Sequence, residues 1–260
     1  MSTYKTLFVA TALMALAATS AWARGDPFAG TWKGTQYHGA GQVQQIKDLG
    51  GNKYDWIYGD NHLEIIVDGK ERPFQFGGTY LARQDSPDKW VITHKHHEQV
   101  TSVQTWTLLD GGQQFDSEAK GTRPDGSSFT TERTRTRVGT GSGFAGEWEI
   151  KDTKFSSEPV MIIDAYGNDG LSFRWPADKE HQDIKFDGKD YADLGPRIAH
   201  RSTSSARRID EHTIQVTDKL NGKATDTREL KVSEDGRTLT DKTHVTGEQK
   251  PLITVWQKQM

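Results

Sequence analysis

The tract from His94 to His97 is the densest group of side chains in this sequence that could do chemistry. On a strand, successive side chains point to opposite faces, so His94 and His96 share one face. A His-x-His pair on one face can supply two metal ligands, and His62 or His38 could add a third. The alternative is a solvated, polar hairpin end. That alternative is favoured, because a His-rich tract is only a compositional signal.

A second group lies on the stretch from Glu132 to Arg137, where arginines occupy every other position. Arg133, Arg135 and Arg137 therefore share one face of a predicted strand. If that face points inward, the guanidinium groups could hold a carboxylate or phosphate through paired hydrogen bonds. Phe129 has the same parity and favours this orientation. The cost of burying unpaired arginines favours the opposite one, a solvated edge that discourages sheet-to-sheet pairing.

Motifs of catalysis are absent from the sequence. It has no cysteine, no Gly-x-Ser-x-Gly turn, no Walker-type glycine loop and no His-Glu-x-x-His segment. We therefore assign no catalytic residue and expect no cofactor. Four aspartates, Asp183, Asp187, Asp190 and Asp193, cluster near a predicted turn. Their spacing matches no calcium loop, so surface solvation explains them better.

Short segments of alternating polarity, separated by turns, dominate the chain, and no long helical pattern competes with them. Turn pairs such as Asp68-Gly69 and Asp110-Gly111 tolerate the positive φ that tight hairpins need. Many short strands at close spacing predict an antiparallel barrel or sandwich. The fold class is therefore all-β.

The sequence repeats itself with a period of more than a hundred residues. Phe28 to Trp32 reads FAGTW, and Phe144 to Trp148 reads FAGEW, and similar signals follow each copy in the same order. So long a period suggests two tandem domains or two halves of one closed sheet, and we favour two tandem barrels. Their predicted bounds are 28–138 and 144–259, joined by a flexible Gly/Ser linker at 139–143.

The two repeats resemble the lipocalin-like domains of exported bacterial proteins, within the lipocalin and fatty-acid-binding-protein superfamily. The resemblance is carried by Gly30-Thr-Trp32, by the segment Phe186 to Tyr191 and by Asp235-Gly-Arg-Thr238. It implies two lipocalin-like barrels, of which at least one binds a small molecule, and fatty-acid-binding proteins are similar in placing an arginine on the last strand, inside the barrel. The chain departs from the family in lacking disulfides and any evident helical lid.

The first residues predict export. Lys5 precedes an apolar run, Leu7 to Thr19, that is too short to span a bilayer, and Ala21-Trp-Ala23 is a typical cleavage signal. Residues 1–23 are therefore predicted to be a cleaved signal peptide of a secreted or periplasmic protein. No later segment is apolar enough to cross a membrane. The net charge of −3 argues against a nucleic-acid partner.

The leading functional hypothesis is an exported protein that binds a small amphipathic or anionic hydrophobic molecule in an apolar cavity. Arg133 and Arg135 are the expected polar anchors, and Trp106, Trp56 and Tyr80 the expected walls.

Two alternatives stay open. One is a cofactor-free isomerase, cyclase or hydratase, which would need His94 or His96 beside a carboxylate inside a cavity. The other is a pair of solid-core barrels that act through their surfaces as envelope or interaction modules and bind no small molecule.

Overall fold

The structure is a computed structural model that describes residues 25–39, 41–75 and 77–260. It is almost entirely β-strand, with a short 3-10 turn at Asp110–Gly112. Two antiparallel sheets form two barrel-like units, which confirms the predicted fold class. The predicted signal peptide, residues 1–23, lies outside the described residues. The described part of the chain contains no helix that is long and apolar enough to span a bilayer.

Twenty strands make up the two sheets. Strands β1 to β10 are Gly30–His38, Val43–Gly50, Lys53–Tyr58, Asn61–Ile66, Glu71–Pro73, Thr79–Ser86, Lys89–His96, Gln99–Leu109, Gln114–Thr122 and Ser128–Arg137. Strands β11 to β20 are Gly146–Phe155, Val160–Ala165, Gly170–Trp175, Glu180–Lys185, Tyr191–Leu194, Ser202–Arg208, Thr213–Leu220, Lys223–Val232, Thr238–Val245 and Leu252–Lys258.

One sheet is a closed barrel and the other is open on one side. The closed barrel has the order β1-β12-β13-β14-β15-β16-β17-β18-β19-β20, and β1 closes it by pairing with both β12 and β20. The second sheet, which we call the half-barrel, has the order β4-β3-β2-β11-β10-β9-β8-β7-β6-β5. Its edge strands β4 and β5 are not joined by a backbone ladder.

The first strands of the two repeats are exchanged between the sheets. Strand β1 completes the closed barrel, whereas β11 lies in the half-barrel between β2 and β10. The repeats 28–138 and 144–259 therefore do not coincide with the two sheets. Residues 139–143 lie in the hairpin between the paired strands β10 and β11, and the chain changes sheets between β1 and β2 and again between β11 and β12.

The two exchanged strands carry the same aromatic anchor. Trp32 and Trp148 are both fully buried, one in the core of each sheet. The indole N–H of Trp32 donates to the carbonyl oxygen of Phe28 at 2.8 Å, and that of Trp148 to Phe144 at 2.9 Å. Buried indole groups usually find such a partner. Each copy of the repeated motif thus folds onto itself and fills its sheet with one large ring.

A cation covers each of these tryptophans. Lys258 Nζ lies 5.1 Å from the Trp32 ring centroid, and Arg137 Cζ lies 4.1 Å from that of Trp148. Gly30 and Gly146 start the two strands with φ of +143° and +144°, a conformation that favours glycine. A Cβ atom at either glycine would also collide with the covering cation.

Candidate functional site

The half-barrel encloses a cavity of about 70 Å³. Strand alternation turns most of its lining side chains on β3, β4, β6, β7 and β8 to the inner face, whereas Phe74 comes from the connection between β5 and β6 and the side chain of Glu64 is exposed. The cavity brings together the three predicted wall residues, and it is lined by Trp56, Leu63, Glu64, Ile65, Phe74, Tyr80, Ile92, His94, Gln104 and Trp106. Pockets for drug-sized ligands hold about 300–1,000 Å³. In this state the cavity therefore accommodates only a few non-hydrogen atoms.

Side chains and one isolated backbone bridge, Val67 to Ala82 with the Gly69 N–H donating to the Ala82 carbonyl oxygen at 2.8 Å, close the half-barrel between β4 and β6. The Tyr80 hydroxyl accepts a hydrogen bond from the Ile66 N–H at 3.1 Å and lies 3.4 Å from the Glu64 carbonyl oxygen. Gln75 donates to the carbonyl oxygen of His62 at 3.2 Å. We call this contact line the seam. Because so few bonds cross it, the seam is the side on which the half-barrel opens most readily.

Polar groups are few in the cavity wall. The indole N–H of Trp56 is buried and has no hydrogen-bond partner among the described residues. His94 packs edge-on against Phe74 with ring centroids 4.8 Å apart, and its Nε2 lies 3.4 Å from the Gln104 amide nitrogen. Gln104 in turn accepts from the Trp106 indole at 3.3 Å. The cavity is therefore an aromatic space with one unused donor.

Burial lowers the pKa of His94, so its imidazole is neutral at neutral pH. The alternative of an acid–base enzyme required a carboxylate beside this histidine. The structure instead places the amide of Gln104 there. Histidine paired only with an amide lacks the charged partner that orients and activates a general base. His94 therefore lacks the neighbouring carboxylate that the acid–base alternative requires.

Arg135 lies behind the aromatic wall, with only 1% of its surface exposed. Its Nε donates to Gln44 Oε1 at 3.0 Å and its Nη1 to Ser117 Oγ at 3.0 Å. Its Cζ lies 4.5 Å from the ring centroid of Phe115 and 5.8 Å from that of Trp56, which also lines the cavity. The arginine is thus one ring away from the cavity.

The guanidinium of Arg135 forms no ion pair among the described residues, and its hydrogen-bond partners Gln44 and Ser117 are neutral. Burial and the nearby charge of Arg133 lower its pKa to about 9, against smaller opposing effects of Asp116 and Tyr37. The outward orientation that the sequence favoured is therefore incorrect for Arg135. Neutral hydrogen bonds and aromatic faces offset part of its desolvation.

The other two arginines of the stripe have different surroundings. Arg133 is half-buried and donates to Thr153 Oγ1 at 3.1 Å. Arg137 covers Trp148 and donates to the carbonyl oxygen of Ala145 at 2.8 Å. Neither predicted anchor lines the cavity: Arg135 lies behind the ring of Trp56, and Arg133 lies beside Thr153 on the neighbouring strand.

Among the described side chains, no third ligand completes the predicted metal pair. His96 is adjacent to His97, with ring centroids 4.3 Å apart, and does not line the cavity that His94 lines. His62 Nδ1 is held by Asp55 Oδ2 at 2.7 Å, and the His38 side chain is not among those described. The described residues contain no group of three or more His, Cys, Asp or Glu placed to hold a metal ion.

The interior of the closed barrel contains a hydrogen-bonded group of acids that the sequence did not reveal. Ser204 Oγ lies 2.7 Å from Asp193 Oδ1 and 2.6 Å from Asp218 Oδ1. Arg228 donates to Asp241 Oδ2 at 2.8 Å. Asp193 was assigned to the surface with its neighbours, but it is buried. On their strands these polar residues occupy the same alternating positions as buried apolar residues. That alternation is the sequence signal that could have placed them inside the barrel.

Asp226 lies in the same group, and its pKa is raised to about 7 by burial and by Asp218. Two carboxyl groups this close favour a state in which they share one proton. Glu180 has its pKa raised to about 7 by burial and by Asp178. The closed barrel therefore has a polar, protonatable interior, in contrast to the aromatic interior of the half-barrel.

Comparison with known proteins finds no matching protein family, no similar characterised protein and no similar solved structure.

Proposed function

We propose that the protein binds a small amphipathic molecule with an anionic group inside the half-barrel. The anionic group pairs with Arg135, and the apolar part occupies the cavity lined by Trp56, Trp106 and Tyr80. The observation that carries this proposal is the burial of Arg135 near an aromatic cavity with no carboxylate partner among the described residues.

Energetics support an anionic ligand. An uncompensated buried ion costs several kcal/mol, and a carboxylate partner recovers much of that through charge-assisted hydrogen bonds. Gln44 and Ser117 engage two of the five N–H donors of Arg135. A planar guanidinium with donors to spare suits bidentate binding of a carboxylate or phosphate.

The small volume of the cavity implies that binding is coupled to opening. A ligand larger than a few atoms enters by separating the seam at Tyr80, the side with the fewest backbone bonds. The unpartnered indole N–H of Trp56 then offers a donor to the bound molecule. The seam therefore acts as the entrance and the aromatic wall as the floor.

The finer assignment, a lipocalin-like carrier that acts after export, belongs to the same proposal. It is supported by the two antiparallel barrel-like units, by the Gly-x-Trp start of each repeat and by the signal sequence read at 1–23. A protein of this kind would work in the periplasm or outside the cell.

The test compares matched acids and alcohols by calorimetry, using octanoate with octanol and dodecanoate with dodecanol. We expect the wild-type protein to prefer each acid by about tenfold or more, which corresponds to about 1.4 kcal/mol. Arg135→Gln should remove that preference. Arg174→Gln is the matched control, because Arg174 is on the outside of the closed barrel in an exposed ion pair with Asp164.

Two results would contradict the proposal. One is an acid preference that survives in Arg135→Gln at the wild-type level. The other is the absence of any saturable uptake of these acids by the wild-type protein, which would favour the surface-acting alternative.

A further inference from the structure

A second pocket lies where the exchanged strands pass each other. It has a volume of about 390 Å³, which falls within the range of small-molecule sites. Strands β1, β11 and β20 and the connection before β12 contribute its walls, formed by Gly34, Thr35, Gln36, Tyr37, Thr153, Phe155, Glu158, Pro159, Thr254 and Trp256. Because β1 and β11 belong to different sheets, this pocket lies between the two sheets.

The walls of this pocket are aromatic. The rings of Tyr37 and Phe155 meet edge to face with centroids 5.5 Å apart. Phe155 has 44% of its surface exposed to solvent. A phenyl ring stabilises a fold or a complex most when other groups bury it. Trp256 is buried, and its indole N–H has no hydrogen-bond partner among the described residues. These features favour a flat, aromatic guest with at least one hydrogen-bond acceptor.

Gly34 lets Pro159 and Trp256 pack closely against β1 at one side of this pocket. A Cβ atom at Gly34 would lie 2.8 Å from Pro159 Cγ and 3.4 Å from Trp256 Cε3, so a side chain would push these walls apart. The backbone fixes the same contact, since the Gly34 N–H donates to the Pro159 carbonyl oxygen at 2.9 Å. The glycine is therefore explained by this close approach rather than by an unusual φ.

The charges around the pocket favour an anion. Arg133 donates to the wall residue Thr153 and takes part in no ion pair among the described residues. Burial raises the pKa of Tyr37 although Arg133 and Arg135 oppose the shift, so its phenol is neutral at neutral pH. The acid in the wall, Glu158, is paired with Lys33. Arg133 is thus a cation near this pocket that forms no ion pair among the described residues, and it also lines another groove together with Asp116, Glu118 and Glu132.

We propose that this strand-crossing pocket is a second ligand site, which takes a planar aromatic anion of one or two rings. The rings lie against Phe155 and Trp256, and the acid group faces Arg133. The site is separate from the cavity beside Arg135, and its occupant differs in shape from the flexible amphipathic molecule proposed there.

The test titrates the full-length mature protein with 2-naphthoate, followed by two-dimensional NMR of the tryptophan indole N–H groups. The Trp256 signal is assigned by its loss in Trp256→Phe. We expect 2-naphthoate to shift that signal and Phe155→Ala to weaken binding by about tenfold or more. Leu194→Ala is the matched control, since Leu194 is a 48% exposed apolar residue on β15. It should bind as the wild-type protein does.

Further arms separate this site from the half-barrel cavity. Arg133→Gln should weaken 2-naphthoate and leave the neutral 2-naphthol unchanged, whereas Arg135→Gln should leave both unchanged. The proposal is overturned if 2-naphthoate does not bind, if Phe155→Ala binds it at the wild-type level, or if Arg135→Gln alone abolishes binding. None of these results would alter the acid preference measured with octanoate and dodecanoate, which tests the half-barrel site independently.

Discussion

At the scale of single residues, the central feature is a positive charge held in an aromatic interior. Arg135 is buried between Phe115 and Trp56 and is bonded only to neutral groups. The alternation of residues along β10 predicts that Arg135 shares a face with Arg133 and Arg137. It does not determine whether that face points into the sheet's interior or into solvent. The decisive partner, Gln44, is 91 positions away in the chain and lies beside it only after folding. No local pattern contains that information.

Substitution of Arg135 by methionine and by alanine separates a binding role from a structural one. Methionine fills similar space and removes the desolvated charge, so we expect the free energy of unfolding to change by no more than about 1 kcal/mol. Alanine also leaves a void, so it should lower the free energy of unfolding by about 3 kcal/mol. Urea unfolding at neutral pH measures both. Equal, large losses in the two variants would mean that the arginine serves the fold alone.

The acids inside the closed barrel predict a pH dependence of stability. The folded-state pKa of Asp226 is raised to about 7 from an ordinary value of 3.8. Between these values the folded protein therefore binds more protons than the unfolded chain. This contribution to stability is complete below about pH 4 and is lost as the pH rises through about 7.

Asp226→Asn should accordingly match the wild-type protein at pH 4.5 in urea unfolding and exceed it at pH 8. We expect a gain on the order of 1–2 kcal/mol at pH 8, less than the full shift would give because the group is partly exposed. Asp164→Asn, at an exposed ion pair, is the control. A difference between Asp226→Asn and wild type that is the same at both pH values would refute the shared-proton interpretation.

At the scale of elements, the strands follow from local sequence and the strand exchange does not. Alternation and Asp-Gly turns define each strand through contacts within a few residues. Both repeats begin with the same Phe-Ala-Gly-x-Trp segment, so local signals fit β1 and β11 equally well in either sheet. Only the sum of long-range pairings selects the exchanged arrangement. For the same reason the segment 139–143 was interpreted as a linker between barrels although it lies in a hairpin.

The start of each exchanged strand is sensitive to substitution. Gly146→Ala introduces a Cβ at φ of +144° and against Arg137, whereas Gly188→Ala introduces one at φ of +71° with open space around it. We expect the Gly188 variant to lose about 1 kcal/mol from backbone strain and the Gly146 variant at least twice that. Thermal unfolding compares the two. Equal losses would show that the cation over Trp148 moves aside freely.

The seam makes a separate prediction about opening. Tyr80→Phe removes the hydroxyl that bonds the Ile66 N–H, which should lower stability by about 1 kcal/mol and speed amide hydrogen exchange at Ile66. Tyr54→Phe, on the inner face of β3, is the control because no hydrogen bond of its hydroxyl is seen. Unchanged exchange at Ile66 in Tyr80→Phe would place the weakest side of the half-barrel elsewhere.

At the scale of the whole molecule, the two sheets are complementary rather than duplicate. The half-barrel has an aromatic cavity beside an unpaired cation, and the closed barrel is filled by apolar residues and hydrogen-bonded acids. They are tied together by the exchanged strands and by contacts such as the Asp60 N–H to the Thr246 carbonyl oxygen at 2.8 Å. The two sheets therefore share antiparallel strands and a Gly-x-Trp start with a buried tryptophan, while their interiors carry different side chains.

The most direct test of the central claim follows the carboxyl carbon of bound octanoate by NMR as the pH is lowered. If the carboxylate pairs with Arg135, its pKa in the complex lies well below the free value of a fatty acid, and Arg135→Gln restores a value at or above it. Identical titration of the bound acid in the wild-type protein and Arg135→Gln would contradict the account.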